Sequence, residues 1–317
     1  MQDLPDLAAI VAAQGRIAPH VHRTPVLSCH SIDAEVGARL FFKCENFQKV
    51  GAFKARGASN AVFSLTDDDA RHGVVTHSSG NHGAALAYAA ARRGVAAWVV
   101  MPENAPRAKQ ENVRRFGAAI RYCAPTIPAR SEACAVIERE TGATLIHPYD
   151  DVRVIAGQGT ATLELLAQVP GLDVVIAPVG GGGLLSGTAI AAKGLFPGIR
   201  VFGAEPANAD DAARSLRSGR IEPLAVATTI ADGLRASLAE RTLAAFIAHV
   251  DTIGTASEDN IVRAMRMIWE RMKIVVEPSA AVPLAALLEG TLSAPGAAIG
   301  IVVTGGNLDL DRLPWQA

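Results

Sequence analysis

Gly51-Ala52-Phe53-Lys54-Ala55-Arg56-Gly57-Ala58 sets one lysine among small and aromatic residues, directly before a segment, Ala55 to Leu65, whose composition predicts a helix. Amide dipoles at a helix start disfavour an adjacent ammonium, so the Lys54 amine is expected to be partly neutral and therefore nucleophilic. Such an amine can condense with a carbonyl carbon. The purely structural alternative is a surface lysine at a helix start, and the octapeptide by itself leaves both open.

On either side of this stretch, apolar runs of strand length alternate with Ala-rich runs of helical length, the pattern of βα units around a largely parallel sheet. Strands are predicted at Leu40 to Lys43, Gly73 to His77, Ala97 to Met101, Ala119 to Tyr122, Thr144 to Ile146, Asp173 to Pro178, Arg200 to Ala204 and Ala298 to Thr304. Helices are predicted between them, among them Gly83 to Arg93, Pro106 to Phe116, Ala129 to Thr141, Ala156 to Gln168, Leu184 to Leu195, Ser257 to Arg271 and Ser279 to Leu288. The fold class is α/β. No internal repeat or low-complexity linker divides the chain, so a second domain is expected as an insertion. Polar, Pro-bearing edges near Thr66 to Arg71 and Pro148 to Arg153 set its limits. The expected division is a large domain of residues 1–66 and 151–317 with a small domain, 67–150, inserted in it.

Composition narrows the function. With 317 residues, half of them hydrophobic, and a formal net charge of −1, the chain can bury a large core and has no electrostatic case for a nucleic-acid partner or an anionic membrane. A small-molecule ligand is favoured. Asp3 and Asp6 interrupt the amino-terminal apolar residues, against a signal peptide, and no apolar run reaches spanning length. The four cysteines, Cys29, Cys44, Cys123 and Cys134, have no CxxC spacing, so reduced thiols in a cytoplasmic protein are expected.

Three further segments carry chemistry. Thr76-His77-Ser78-Ser79-Gly80-Asn81-His82-Gly83 follows a strand and opens a helix, where unpaired amides and the helix dipole act on the same carboxylate or phosphate. Its structural alternative is a helix start capped by Ser79 or Asn81. His77 and His82 lack a third ligand for a metal. Val179-Gly180-Gly181-Gly182-Gly183-Leu184 lies between a strand and a helix, and a run of glycines can wrap its N–H groups around phosphate oxygens. Glu205, about 20 residues on, raises a dinucleotide fold and a nicotinamide-dependent oxidoreductase. The G-x-G-x-x-G spacing fails, however, because Leu185 or Ser186 falls at the last position, and no G-K-[ST] follows. Finally, Ile299 to Asn307 reads as a buried strand that ends in Thr304 and two glycines. Ligands bind at that carboxyl edge of an open sheet, and a neutral hydroxyl there can bond a heteroaromatic nitrogen without protonating it.

Taken in order, these segments resemble the fold-type II pyridoxal 5'-phosphate enzymes, most closely the branch of serine racemases and serine/threonine dehydratases. Val21 to Leu27, Phe42 to Lys49, Ala156 to Thr160, Thr229 to Gly233 and Glu270 to Pro278 extend the likeness nearly end to end. It implies a tryptophan synthase β-like fold, two open, twisted, mostly parallel sheets with helices on both faces, in a homodimer. It implies that Lys54 carries the cofactor beside Phe53, that Asn81 bonds the cofactor's phenolic oxygen, and that Gly180, Gly181, Gly182, Gly183 and Leu184 cradle its phosphate. Gly233 and Thr304 complete the cofactor site, Thr304 facing the pyridine nitrogen. Ser78, Ser79, Gly80, Asn81 and His82 would hold a substrate carboxylate. The implied activity is an ammonia-lyase reaction on small β-hydroxy amino acids (serine, threonine or 3-hydroxyaspartate) giving a 2-oxo acid and ammonia. Ser79 matches the serine that exchanges a proton on the face opposite the lysine in racemases, so racemisation is also implied.

Glu205, the Ala209 carbonyl and Asp211 resemble the branch's divalent-cation site, and oxygen-only ligation suits Mg²⁺, Ca²⁺ or Mn²⁺ better than zinc. Arg130 matches a substrate-gating arginine of the racemases. Arg235-Ala236 departs from the branch, which has a hydroxyl residue at the second position, and this arginine could hold a second substrate carboxylate; the alternative is an arginine turned to solvent. Lys49-Val50 and Phe116 differ from the nucleotide-binding positions of animal racemases, which speaks against ATP regulation.

Overall fold

Ten strands form in the computed structural model, which describes residues 3–316 apart from Ser79, Pro106 and Ala225: β1 (Val26–Leu27), β2 (Arg39–Cys44), β3 (Val74–His77), β4 (Ala97–Pro102), β5 (Ala119–Cys123), β6 (Thr144–Leu145), β7 (Val174–Pro178), β8 (Arg200–Pro206), β9 (Thr252–Ala256) and β10 (Ala298–Val303). They make a six-stranded sheet, in the order β1-β2-β10-β7-β8-β9, and a four-stranded sheet, β5-β4-β3-β6. Every pairing is parallel except β1 with β2. β7 and β10, at the centre of the larger sheet, are buried at every position, which is why they read as unbroken apolar runs.

The eight predicted strands all form, with ends displaced by a residue or two. Two more join them: β1 is too short to carry a pattern, and β9, Thr-Ile-Gly-Thr-Ala, is an edge strand with a glycine at its centre. The helices Leu7–Ile17 and Glu240–His249 were likewise unforeseen. The predicted helix Ser257 to Arg271 is corrected. It is α-helical over Glu258–Met267, then widens to a π-turn over Ile268–Met272 and ends at Lys273, whose φ is 59°.

Lys54 is itself the first residue of the helix Lys54–Phe63, and this helix belongs to both halves of the molecule. Ala58, Ala61 and Val62 pack with Leu86, Val99 and Met101 over the smaller sheet. Arg56, one turn further round, is fully buried and ties the same helix to the larger body. Its guanidinium donates to Glu45 Oε2 at 2.7 Å and Oε1 at 2.8 Å, and to both oxygens of Glu164 at 2.8 Å. Lys43 Nζ adds a bond of 2.6 Å to Glu164, and Thr24 Oγ1 one of 2.6 Å to Glu45. A buried ion cluster is stable only when its hydrogen bonds are complete, as these are; the helix start that presents Lys54 is therefore firmly anchored.

Candidate active site

The carboxyl ends of β3, β7 and β10 lead into the three segments singled out in the sequence, and a hydrogen bond ties the last of them to the residue before Lys54. Phe53 N donates to the Thr304 carbonyl at 2.9 Å, which joins the octapeptide to the end of β10. Lys54 Nζ donates to the Pro148 carbonyl at 2.9 Å and lies 5.1 Å from the centre of the Phe53 ring. Burial lowers the pKa of this amine to about 8. Its depressed basicity was expected from the helix dipole; the physical cause here is removal from water.

Two histidines lie near the amine, His82 and His147, and a third, His77, packs against His147. His82 is buried and its pKa is held well below the usual range by burial and then by Lys54. Burial, with His77 and Lys54, pulls His147 down to about 4, and its Nδ1 accepts from Asp150 N at 2.9 Å. His77 is lowered by burial and by Arg130, and its ring meets that of His147 edge-on at 5.2 Å. The amine thus sits among neutral imidazoles. His147 and Tyr149 had no signal in the sequence reading, since they lie in the Ile146-His147-Pro148-Tyr149 turn that looked like a domain edge.

The turn after β3 starts the helix Asn81–Arg93 with Gly80 as N-cap and, among the described residues, without a side-chain cap. Asn81 is therefore not the cap but the first helical residue, and the orphan amides of the first turn stay open to an anion. Ser78 accepts from Gly80 N at 3.2 Å. Ser79 lies outside the described residues. Asn81 gives Nδ2 to both oxygens of Glu277, at 3.0 and 3.2 Å, and its Oδ1 accepts from Asn307 Nδ2 at 2.9 Å.

The glycine loop leads into the helix Gly183–Leu195, and Gly182 takes a φ of 91° that favours glycine. A Cβ on Gly181 would fall 2.4 Å from the Tyr149 ring, and one on Gly180 would come within 3.0 Å of Leu234. The loop is pressed between Tyr149 and the turn that holds Gly233, whose N donates to Ser279 Oγ at 3.1 Å. Leu184 is buried behind it. Thr304 is buried as well, and its Oγ1 has no hydrogen-bond partner among the described residues.

The two arginines differ. Arg130 is half-buried, and its Nε has no partner among the described residues. Arg235 is exposed and directs Nε to the Thr229 carbonyl at 2.9 Å, with Nη2 on the same oxygen; it braces the turn that carries Gly233. Across the mouth, Lys109 of the helix Arg107–Arg114 forms an ion pair with Asp232.

Glu205 and Asp211 are buried beyond the glycine loop. Glu205 accepts from Ala212 N at 3.2 Å and Ala213 N at 2.7 Å; burial, with the Asp211 carboxylate adding to it, raises its pKa to about 8. Burial raises Asp211 to about 6, and its Oδ2 has no partner among the described residues. Among those residues no three His, Cys, Asp or Glu side chains gather as a metal site, so a cation here would rest on two carboxylates and backbone oxygen.

The family described as "Pyridoxal-phosphate dependent enzyme" matches residues 17–305. A β-hydroxyaspartate dehydratase of Paracoccus denitrificans (strain Pd 1222) is 51% identical over 313 residues, covering 99% of each chain. A serine racemase of Oryza sativa subsp. indica is also 51% identical, covering 98% of this chain and 93% of its own. The solved structure of maize serine racemase superposes with a TM-score of 0.95 at 51% identity, covering 98% of this chain and 95% of its own.

Proposed function

The chain belongs to the pyridoxal-phosphate dependent enzymes of fold type II, and from that premise we propose that it eliminates water from a small β-hydroxy amino acid and, on hydrolysis of the resulting enamine by water, releases ammonia and a 2-oxo acid, with accompanying racemisation. The observation that carries this reading is the equal likeness, 51% in each case, to a β-hydroxyaspartate dehydratase and to a serine racemase, joined to a half-buried Lys54 whose pKa is lowered to about 8.

The residues present fit the cofactor. Lys54 is the amine that takes its aldehyde, and Phe53 packs beside it. The amides of Gly180 to Gly183 and the start of the helix Gly183–Leu195 suit its phosphate, with Leu184 and Gly233 closing that end. Thr304 Oγ1, buried and unpartnered among the described residues, suits its ring nitrogen. When bound, pyridoxal phosphate supplies an electron sink that acidifies the α-hydrogen of an amino acid joined to it. A hydroxyl at the ring nitrogen, in place of a carboxylate, leaves that sink weaker and favours elimination or prompt reprotonation over transamination.

In this reading the residues divide the work. The open amides after β3, with Ser78 to His82, bind the substrate α-carboxylate. Lys54, once free, takes the α-proton, and its low basicity and neutral histidine neighbours suit proton exchange near neutral pH. Ser79 supplies the proton on the other face in racemisation. Arg130, with an uncommitted Nε, is the arginine placed to meet a second carboxylate; Arg235 already serves Thr229. Glu205, Ala209 and Asp211 hold Mg²⁺ or a similar cation. The inserted small domain of residues 67–150 and a homodimer belong to the same reading.

The test is a panel of L-serine, L-threonine and the 3-hydroxyaspartate isomers with the purified holoenzyme, assayed for both keto acid and product enantiomer. Keto acid and ammonia from at least one of these are expected; binding without either product would sink the proposal. Ser79→Ala should remove racemisation while sparing elimination from the L-substrate, and equal loss of both would refute its role.

A further inference from the structure

Glu277 is a carboxylate buried within the apolar run Ile274 to Leu287, 4% exposed, with its oxygens turned away from solvent toward Asn81 and Asn307. The fold makes room for it: a Cβ on Gly305 would stand 2.7 Å from Glu277 Oε1. Gly51, with a φ of 70°, makes room for Asn307 in the same way, since a Cβ there would stand 2.6 Å from Asn307 Oδ1. Neither residue has a part in the chemistry set out above.

The hydrogen bonds fix a direction. Asn307 Nδ2 donates to the Val50 carbonyl at 2.7 Å, and a carbonyl can only accept, so this end of the Asn307 amide must be nitrogen. The same nitrogen meets Asn81 at 2.9 Å, which must therefore present its oxygen there. The Asn81 nitrogen is left to face Glu277, whose two oxygens at 3.0 and 3.2 Å share one N–H. Glu277 Oε2 closes the ring by accepting from Asn307 N at 3.2 Å. A carboxamide alone could turn over at little cost; here each neighbour forbids the turned form, and the second N–H of Asn81 is committed to no acceptor among the described residues.

We propose that Glu277 and Asn307 are positioning residues that lock the Asn81 carboxamide with its N–H edge forward, so that the remaining hydrogen serves the phenolic oxygen of the cofactor. The proposal rests on the reading of Asn81 given above and names what sets its orientation. Partners of this kind orient a contacting group without touching the ligand, and their loss typically weakens binding about tenfold or more.

The experiment uses the holoenzyme, resolved and then titrated with pyridoxal 5'-phosphate, and reads the dissociation constant and the visible absorption band. Glu277→Gln and Asn307→Ala are each expected to weaken binding about tenfold and to move the band in the direction in which Asn81→Ala moves it. The double variant Asn81→Ala/Glu277→Gln should bind like Asn81→Ala alone, because nothing remains to be oriented. Multiplied losses in the double variant would overturn the proposal, as would a wild-type band and affinity in Glu277→Gln or in Asn81→Ala. Should Glu277→Gln fail to fold, by far-ultraviolet circular dichroism, the same cycle with Asn307→Ala decides. A covalent chromophore surviving in Lys54→Ala would overturn the reading of the site, and this proposal with it, by a result distinct from additivity.

Discussion

Lys54 is an ammonium-forming group that folding takes out of water, and burial alone accounts for its lowered pKa of about 8. In the cofactor-free protein this is a stability statement. The unfolded chain binds the proton up to its ordinary value of 10.5, so the cost is full below about pH 8 and is relieved as pH rises from there to 10.5. Cofactor-free Lys54→Met should therefore be more stable than the parent at pH 7, by up to about 3 kcal/mol, with the gap closing toward pH 10; urea denaturation at several pH values measures it. A gap that is constant with pH would contradict the assignment. The octapeptide marked the lysine as a candidate without deciding it, and its environment was hidden, because Pro148 and His147 reach it from nearly a hundred residues away. Glu277 was equally hidden: it sits in a recognisable stretch, Val275-Val276-Glu277-Pro278, yet only the fold reveals which donors it faces.

Among elements, the glycine loop has the sharpest steric requirement. Gly181→Ala drives a methyl group into the Tyr149 ring, at 2.4 Å, and overpacking of that kind costs about 1–3 kcal/mol. Pyridoxal phosphate affinity is expected to fall by an order of magnitude or more, and Tyr149→Ala in the same protein should restore part of it. Equilibrium titration checks both; no recovery in the double variant would mean that the clash with Tyr149 is not what weakens binding. The strands and helices that carry the site were readable because buried parallel strands are unbroken apolar runs bounded by glycine. Short or edge elements such as β1 and β9 were not, since their partners supply the order that their own residues do not encode. The ion cluster of Arg56 was beyond reach for the same reason, as its bonded members lie up to 121 residues apart. Arg56→Met should cost about 3–5 kcal/mol in chemical denaturation, since it leaves the buried Glu45 without a cation and Glu164 with Lys43 alone.

For the molecule as a whole, Glu205 and Asp211 make stability depend on pH, and the cation site proposed on them would couple that dependence to metal binding. Their folded pKa values, about 8 and about 6, lie above the ordinary values of 4.5 and 3.8. The folded state then binds more protons than the unfolded state between those limits, and stability falls as pH rises from about 4 to 8. A divalent cation bound there, as proposed, would reverse the penalty. Millimolar Mg²⁺ is expected to raise the melting temperature, more at pH 8 than at pH 6, and Glu205→Gln should abolish the increase. Equal stabilisation at both pH values, or in the variant, would place the cation elsewhere. Among the described residues no helix is long and apolar enough to cross a membrane.

The helix Lys54–Phe63 also bears on how the protein can be divided. Its Ala58, Ala61 and Val62 furnish part of the interior of the four-stranded sheet, while Arg56 is bolted to the other body. A fragment cut at residues 67–150 would leave with an uncovered apolar face and should aggregate on expression; one begun at residue 52 would bring the missing surface but also an unpaired arginine. Lys54 thus stands at a seam where neither half is a finished module, and the polypeptide is inseparable at the point where the proposed chemistry would reside.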